Sequence, residues 1–187
     1  HLKTSRGLPR KCPSRPLIMS IPQEIQKILD TPTLASLGPE RRTGALNLDQ
    51  CHAALDTLDL APNQQTLVHS ALLLWHDHLD ASHDLSQNIN SNDGSFLHGI
   101  MHRREPDYSN AKYWFTRAGQ HEAYDSIKTR AALALKDTSL THLATAKWDP
   151  FAYVDAVSEA SPGTPEYEVL QKLQRIELEV LLERFCR

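Results

Sequence analysis

From Ser20 onward, apolar residues return every three or four positions, and this period constrains the fold more than any other feature. Alternating runs rich in Val, Ile and Thr are missing, so nothing in the chain asks for a sheet. The period predicts helices over about 20–30, 47–59, 63–89, 93–105, 108–118, 120–136, 138–147, 149–160 and 164–185. Several of them start on explicit signals. Asp149-Pro150 and Thr164-Pro165 each place a capping side chain before a proline that suits a first turn. Asp93 and Asp107 are expected to cap the two central helices, and Ser20 with Gln23 has the spacing of a capping box. The last helix should pack as an outer helix with one apolar stripe and one charged face. The expected class is all-α, a single compact multi-helix domain. A chain of 187 residues with 40 % apolar content is long enough to bury a real core.

Residues 1–18 differ from the rest, with five basic residues, three prolines and no acid. They are expected to be a flexible basic N-terminal arm, processed or non-native, ahead of a domain at 19–187. Organelle targeting by this arm stays open.

Composition sets aside several functions. A net charge of −3 leaves no basic footprint for nucleic acid. Arg103, Arg104, Lys112 and Arg117 are few and interrupted by acids. No apolar run approaches the roughly 18 residues of a spanning helix, so no membrane partner is expected. Cys12, Cys51 and Cys186 are odd in number and form no CxxC pair, which argues against a disulfide framework or a thiolate zinc site. A reducing, cytoplasmic setting follows from that. No nucleotide cofactor is signalled. Leu and Trp on outer helix faces leave a homodimer open.

Five of the ten histidines fall between His76 and Gly119. On a helix over 63–89, His76, Asp80, His83 and Gln87 make one polar stripe, read as a solvated boundary with Asp80 and His83 supporting a site behind it. His78 and Ser82 interrupt the apolar face and need partners there. His78 is either a core histidine bonded to a backbone carbonyl or to Ser82, or a functional group. After Asp93-Gly94, the residues His98, His102 and Glu105 share one stripe opposite Phe96, Leu97, Ile100 and Met101. Two histidines four apart on a helix can chelate one ion. The expected ligands are His98, His102, Glu105 and His78, for Zn²⁺, Mn²⁺, Ni²⁺ or Fe²⁺. Gly99 leaves room for a close neighbour. Without a metal, His102 and Glu105 would still make an acid/base pair. The following helix mixes cations with polar groups. There Arg104, Lys112, Asn110 and Tyr108 are expected to hold a carboxylate or phosphate, with Glu105, His78 and Tyr113 in catalytic roles. Trp114 and Phe115 read as core aromatics.

The string DGSFLHGIMHRREPDYSNAKYWFTRAG, with LWHDHLDASHDLSQ before it and KWDPFAYVDAV after it, resembles a family of uncharacterised helical proteins of bacteria and fungi. The resemblance spans about residues 60–160 and implies no activity, so it assigns no catalytic residue. The His76-Asp77 doublet is similar to the HD phosphohydrolases without their Gly-Lys context. The HxxxHR element is similar to the metal pair of DinB-like bundles, whose other histidine lies on a more distant helix.

Two readings follow. One is a metal-dependent enzyme, a hydrolase or lyase, acting on a small anionic carboxylate or phosphate. The other is a non-catalytic helical protein in which the same residues form a buried polar network or a small-ligand pocket.

Overall fold

The computed structural model describes residues 21–187. Those residues form nine α-helices and no strand, packed as one helical domain. The expected N-terminal arm and the Ser20 cap lie outside the described residues.

In chain order the helices are α1 (Gln23–Leu29), α2 (Leu48–Asp56), α3 (Pro62–Trp75), α4 (Leu79–Ser86), α5 (Asn92–Arg104), α6 (Tyr108–Ala118), α7 (Ala123–Leu135), α8 (Pro150–Glu159) and α9 (Pro165–Phe185). Three expected caps are in place. Asp107 accepts from the Asn110 amide, Asp149 from Phe151 and Ala152, and Thr164 from Tyr167. At α5 the cap is Ser91, whose hydroxyl accepts from the Gly94 amide at 3.1 Å. Asp93 sits inside the first turn instead and accepts from His121 and Arg184. The helix expected over 138–147 shrinks to a 3₁₀ turn at Thr141–Ala144.

The single helix expected over 63–89 is two helices. α3 stops at Trp75, and Asp77 takes a left-handed φ of 67°. The His78 amide bonds back to the Leu73 carbonyl at 2.9 Å and the Asp77 amide to Leu74 at 3.3 Å. That bond pair is the Schellman stop, here with Asp where Gly is usual. The chain then reverses. Ser70 and Ser82 would be about 18 Å apart on a straight helix, yet their hydroxyls are 3.0 Å apart, so α4 folds back along α3. His76, expected on a solvated stripe, is fully buried, held between the Ile28 carbonyl and the Leu46 amide.

α5 is the central helix, with every residue from Gly94 to Arg104 buried. Its apolar side joins Phe96, Leu97, Ile100 and Met101 to the core made with α3, α6, α7 and α9. Its two arginines are buried as ion pairs. Arg103 meets Glu177 of α9 at 2.7 Å, and Arg104 meets Asp77 at 2.9 Å. The charged face expected on the outside of α9 therefore turns partly inward, because Gln174 and Glu177 serve Arg103.

Candidate metal centre

His98 and His102 lie one turn apart on α5. The reversal at Asp77 brings His83 of α4 against both of them. The His83 ring is edge-on to His98 at 4.7 Å and to His102 at 5.5 Å between centroids. One nitrogen from each of His83, His98 and His102 lies within 4.8 Å of the others. Among the described residues this is the one group of three or more potential ligands so arranged, and three imidazoles in this arrangement could hold a metal ion.

Burial sets their chemistry. It pushes the His98 imidazole down to about 3, with His102 and His83 adding to the effect. Burial also lowers His102, against the pull of the Glu105 carboxylate. Both rings are therefore neutral near pH 7, the form that coordinates metals. The Nδ1 of His98 is buried and has no hydrogen-bond partner. Such an atom costs about 1–3 kcal/mol unless something else engages it.

Glu105 caps the far side of the site. Its Oε2 lies 3.2 Å from Nδ1 of His102, and its side chain is 35 % exposed. A proton on Nδ1 donates to that carboxylate and leaves the Nε2 lone pair of His102 free. The Asn110 amide nitrogen is 3.2 and 3.5 Å from the two ring nitrogens of His102. Being nearly equidistant, it is aimed along neither lone pair, so Glu105 alone orients the ring.

The rings also form a column. Trp114 of α6 stacks on His98 at 3.8 Å and 13°, and His98 stacks on His102 at 4.7 Å and 16°. The Arg117 guanidinium lies 5.3 Å over the indole. Gly99 makes this closeness available, since a Cβ there would meet the Phe115 ring at 2.9 Å.

No protein-family model, curated protein or solved structure matches this chain.

The other expected site residues sit elsewhere. His78 points to the loop before α2 and bonds the Leu46 carbonyl at 2.7 Å, so it does not join the cluster. Arg104 is spent on Asp77 and on the Leu74 and Gly38 carbonyls. Lys112 pairs with Asp155 at 2.6 Å on the surface. Tyr113 is 53 % exposed and touches the edge of Trp114. Tyr108 lines a separate surface cavity of about 430 Å³ with Glu40, Val157 and Tyr167. Asp80 is exposed, and Ser82 bonds Ser70. Phe115 is core, as expected, whereas Trp114 is only half-buried. On a single straight helix over 63–89, His83 falls on the polar boundary stripe in a supporting role, and only the break at Asp77 brings it against α5. Sequence reasoning also missed that Trp114, read as a core aromatic, belongs to the site, although Asn110 one turn before it was among the expected site residues.

Proposed function

We propose that the chain binds one divalent transition-metal ion on His83, His98 and His102 and uses it as a metal-dependent hydrolase or lyase on a small anionic substrate. The observation that carries this reading is the unpartnered, buried Nδ1 of His98 beside two further imidazoles. Three imidazole nitrogens suit Zn²⁺, Ni²⁺ or Fe²⁺ better than Mn²⁺, which prefers oxygen. A three-imidazole set leaves coordination positions for water or substrate, and the bound ion would supply Lewis acidity or an activated water.

The protein's own residues would do the rest. Glu105 would keep the proton on Nδ1 of His102 and so leave Nε2 as the nitrogen to offer an ion. His83 is half-buried and Glu105 is partly exposed, so small molecules would enter between them. Arg104 and Lys112 are already paired, so the substrate's negative group would rest on the ion itself.

One observation favours the second reading, a structural polar network. The near-parallel rings of His98, His102 and Trp114 already pack as a column. Equilibrium dialysis against Zn²⁺ with elemental analysis separates the two. We expect one ion per chain, its loss in His83→Ala, His98→Ala and His102→Ala, and an affinity about 10–100-fold weaker in Glu105→Gln. A wild-type chain that retains no ion leaves only the structural reading standing. If zinc is retained, turnover of phosphate and carboxylate esters that depends on zinc and fails in the histidine variants tests the catalytic half.

A further inference from the structure

We infer that Trp114 is the residue that sets metal affinity at the three-histidine cluster, by holding the His98 ring in a stack that it must leave to coordinate. The inference rests on the metal-binding reading above and adds a specificity-determining residue on another helix.

The argument begins with ring planes. An imidazole donates along a lone pair that lies in its own plane. The His98 and His102 planes differ by only 16° and are stacked, so an ion in the plane of one ring lies off the plane of the other. A tetrahedral ion with bonds of about 2.0–2.1 Å wants its nitrogens roughly 3.4 Å apart, and the three nitrogens already lie within 4.8 Å of one another, so it is the ring planes and not the reach that stand in the way. One ring has to turn.

Hydrogen bonding decides which ring. His102 is tied at Nδ1 to Glu105 at 3.2 Å. Nδ1 of His98 has no partner at all. What holds His98 is contact with flat neighbours, and the tighter of the two is the indole at 3.8 Å and 13°. Trp114 is itself braced by Arg117 over its ring and by Tyr113 in a T-shaped contact. Turning His98 about its Cβ–Cγ bond therefore gives up the Trp114 stack. Removing the indole face should lower that cost and tighten binding. A merely structural tryptophan would do the opposite, since its loss would loosen the site and weaken binding.

The test is a Co²⁺ titration of the full chain followed by visible absorption, with wild type, Trp114→Leu and Trp114→Phe. Loss of one aromatic stack corresponds to roughly 2- to 10-fold tighter binding in Trp114→Leu, with Trp114→Phe nearer to wild type. The absorption envelope should keep its shape, because the ligands are unchanged. Equal or weaker binding by a folded Trp114→Leu, with wild type binding normally, overturns the role of Trp114 and leaves the metal reading intact. No Co²⁺ binding by wild type overturns both. A second measurement needs no leucine variant. Zn²⁺ has no quenching d–d transitions, and it should shift tryptophan emission in wild type and leave it unchanged in Trp114→Phe. An unchanged wild-type emission at saturating Zn²⁺ refutes the inference.

Discussion

Asp77→Asn should be among the most damaging single changes in this protein. The Asp77 carboxylate answers two guanidiniums at once. Oδ1 takes the Arg104 bond at 2.9 Å, and Oδ2 takes the Arg42 backbone amide at 3.0 Å with the Arg42 side chain at 3.3 Å. Arg104 is 1 % exposed, so water cannot replace what is lost. Asparagine keeps the shape and tolerates left-handed φ at least as well as aspartate does, so the substitution isolates the charge. Removing one partner of a buried ion pair costs about 3–5 kcal/mol. Against a total stability of about 5–15 kcal/mol, that is a fifth of the whole or more. A chain of this size loses about 2–4 °C per kcal/mol, so the melting temperature should fall by about 6–20 °C.

Circular dichroism melts and urea titrations of wild type, Asp77→Asn, Arg104→Met and the double variant measure this. The double variant should recover part of the loss, because an apolar replacement of a buried pair is often close to neutral. Asp77→Gly serves as a backbone control. It keeps the left-handed stop and relieves its strain, so it should still show most of that loss of about 3–5 kcal/mol through the missing charge. A fall of less than about 2 °C in Asp77→Asn, against the 3–5 kcal/mol expected, would refute the argument. So would a double variant no better than the worse single.

Two further outcomes are expected. Gly99→Ala places a methyl 2.9 Å from the buried Phe115 ring, so it should separate α5 from α6 and cost about 1–3 kcal/mol in urea; an unchanged midpoint would mean that the ring moves aside freely. His76 is buried and pushed down to about 4. The unfolded chain, with an ordinary value near 6.5, then binds more protons below pH 6.5. Stability attributable to this ring is therefore fully present above pH 6.5 and drains away as pH falls toward 4, by about 2 kcal/mol at pH 5. In chelator, His76→Gln should flatten the stability–pH curve between pH 7 and 5, and parallel curves for variant and wild type would contradict this.

How much of this was legible in the sequence depends on the range of each interaction. Caps are local, and Asp107, Asp149 and Thr164 cap where their spacing indicated. The HxxxH pair on α5 is local too, and His98 and His102 do share a buried site. What escaped depends on distant partners. Arg104 reads as an anion-binding group until Asp77, 27 residues earlier, is seen to occupy it. Arg103 reads as one cation of a short run broken by acids until Glu177, 74 residues later, lies beside it. The break at His76–His78 escaped for another reason. Helix stops are read from Gly, and here the left-handed position is filled by Asp, whose strain is offset by two arginines that sequence spacing does not bring near.

That break ties the two halves of the molecule's polar interior together. A continuous helix from 63 to 89 would carry His83 away from α5. The reversal at Asp77 lays α4 against α3, with Ser82 bonded to Ser70, and so delivers His83 to His98 and His102. Arg104 grips the reversal from the end of the same helix that carries the two histidines. The buried ion pair thus fixes where α4 begins relative to α5, and the three-imidazole geometry depends on that distance. It follows that Asp77→Asn should loosen metal binding as well as the fold, even though Asp77 touches none of the three histidines.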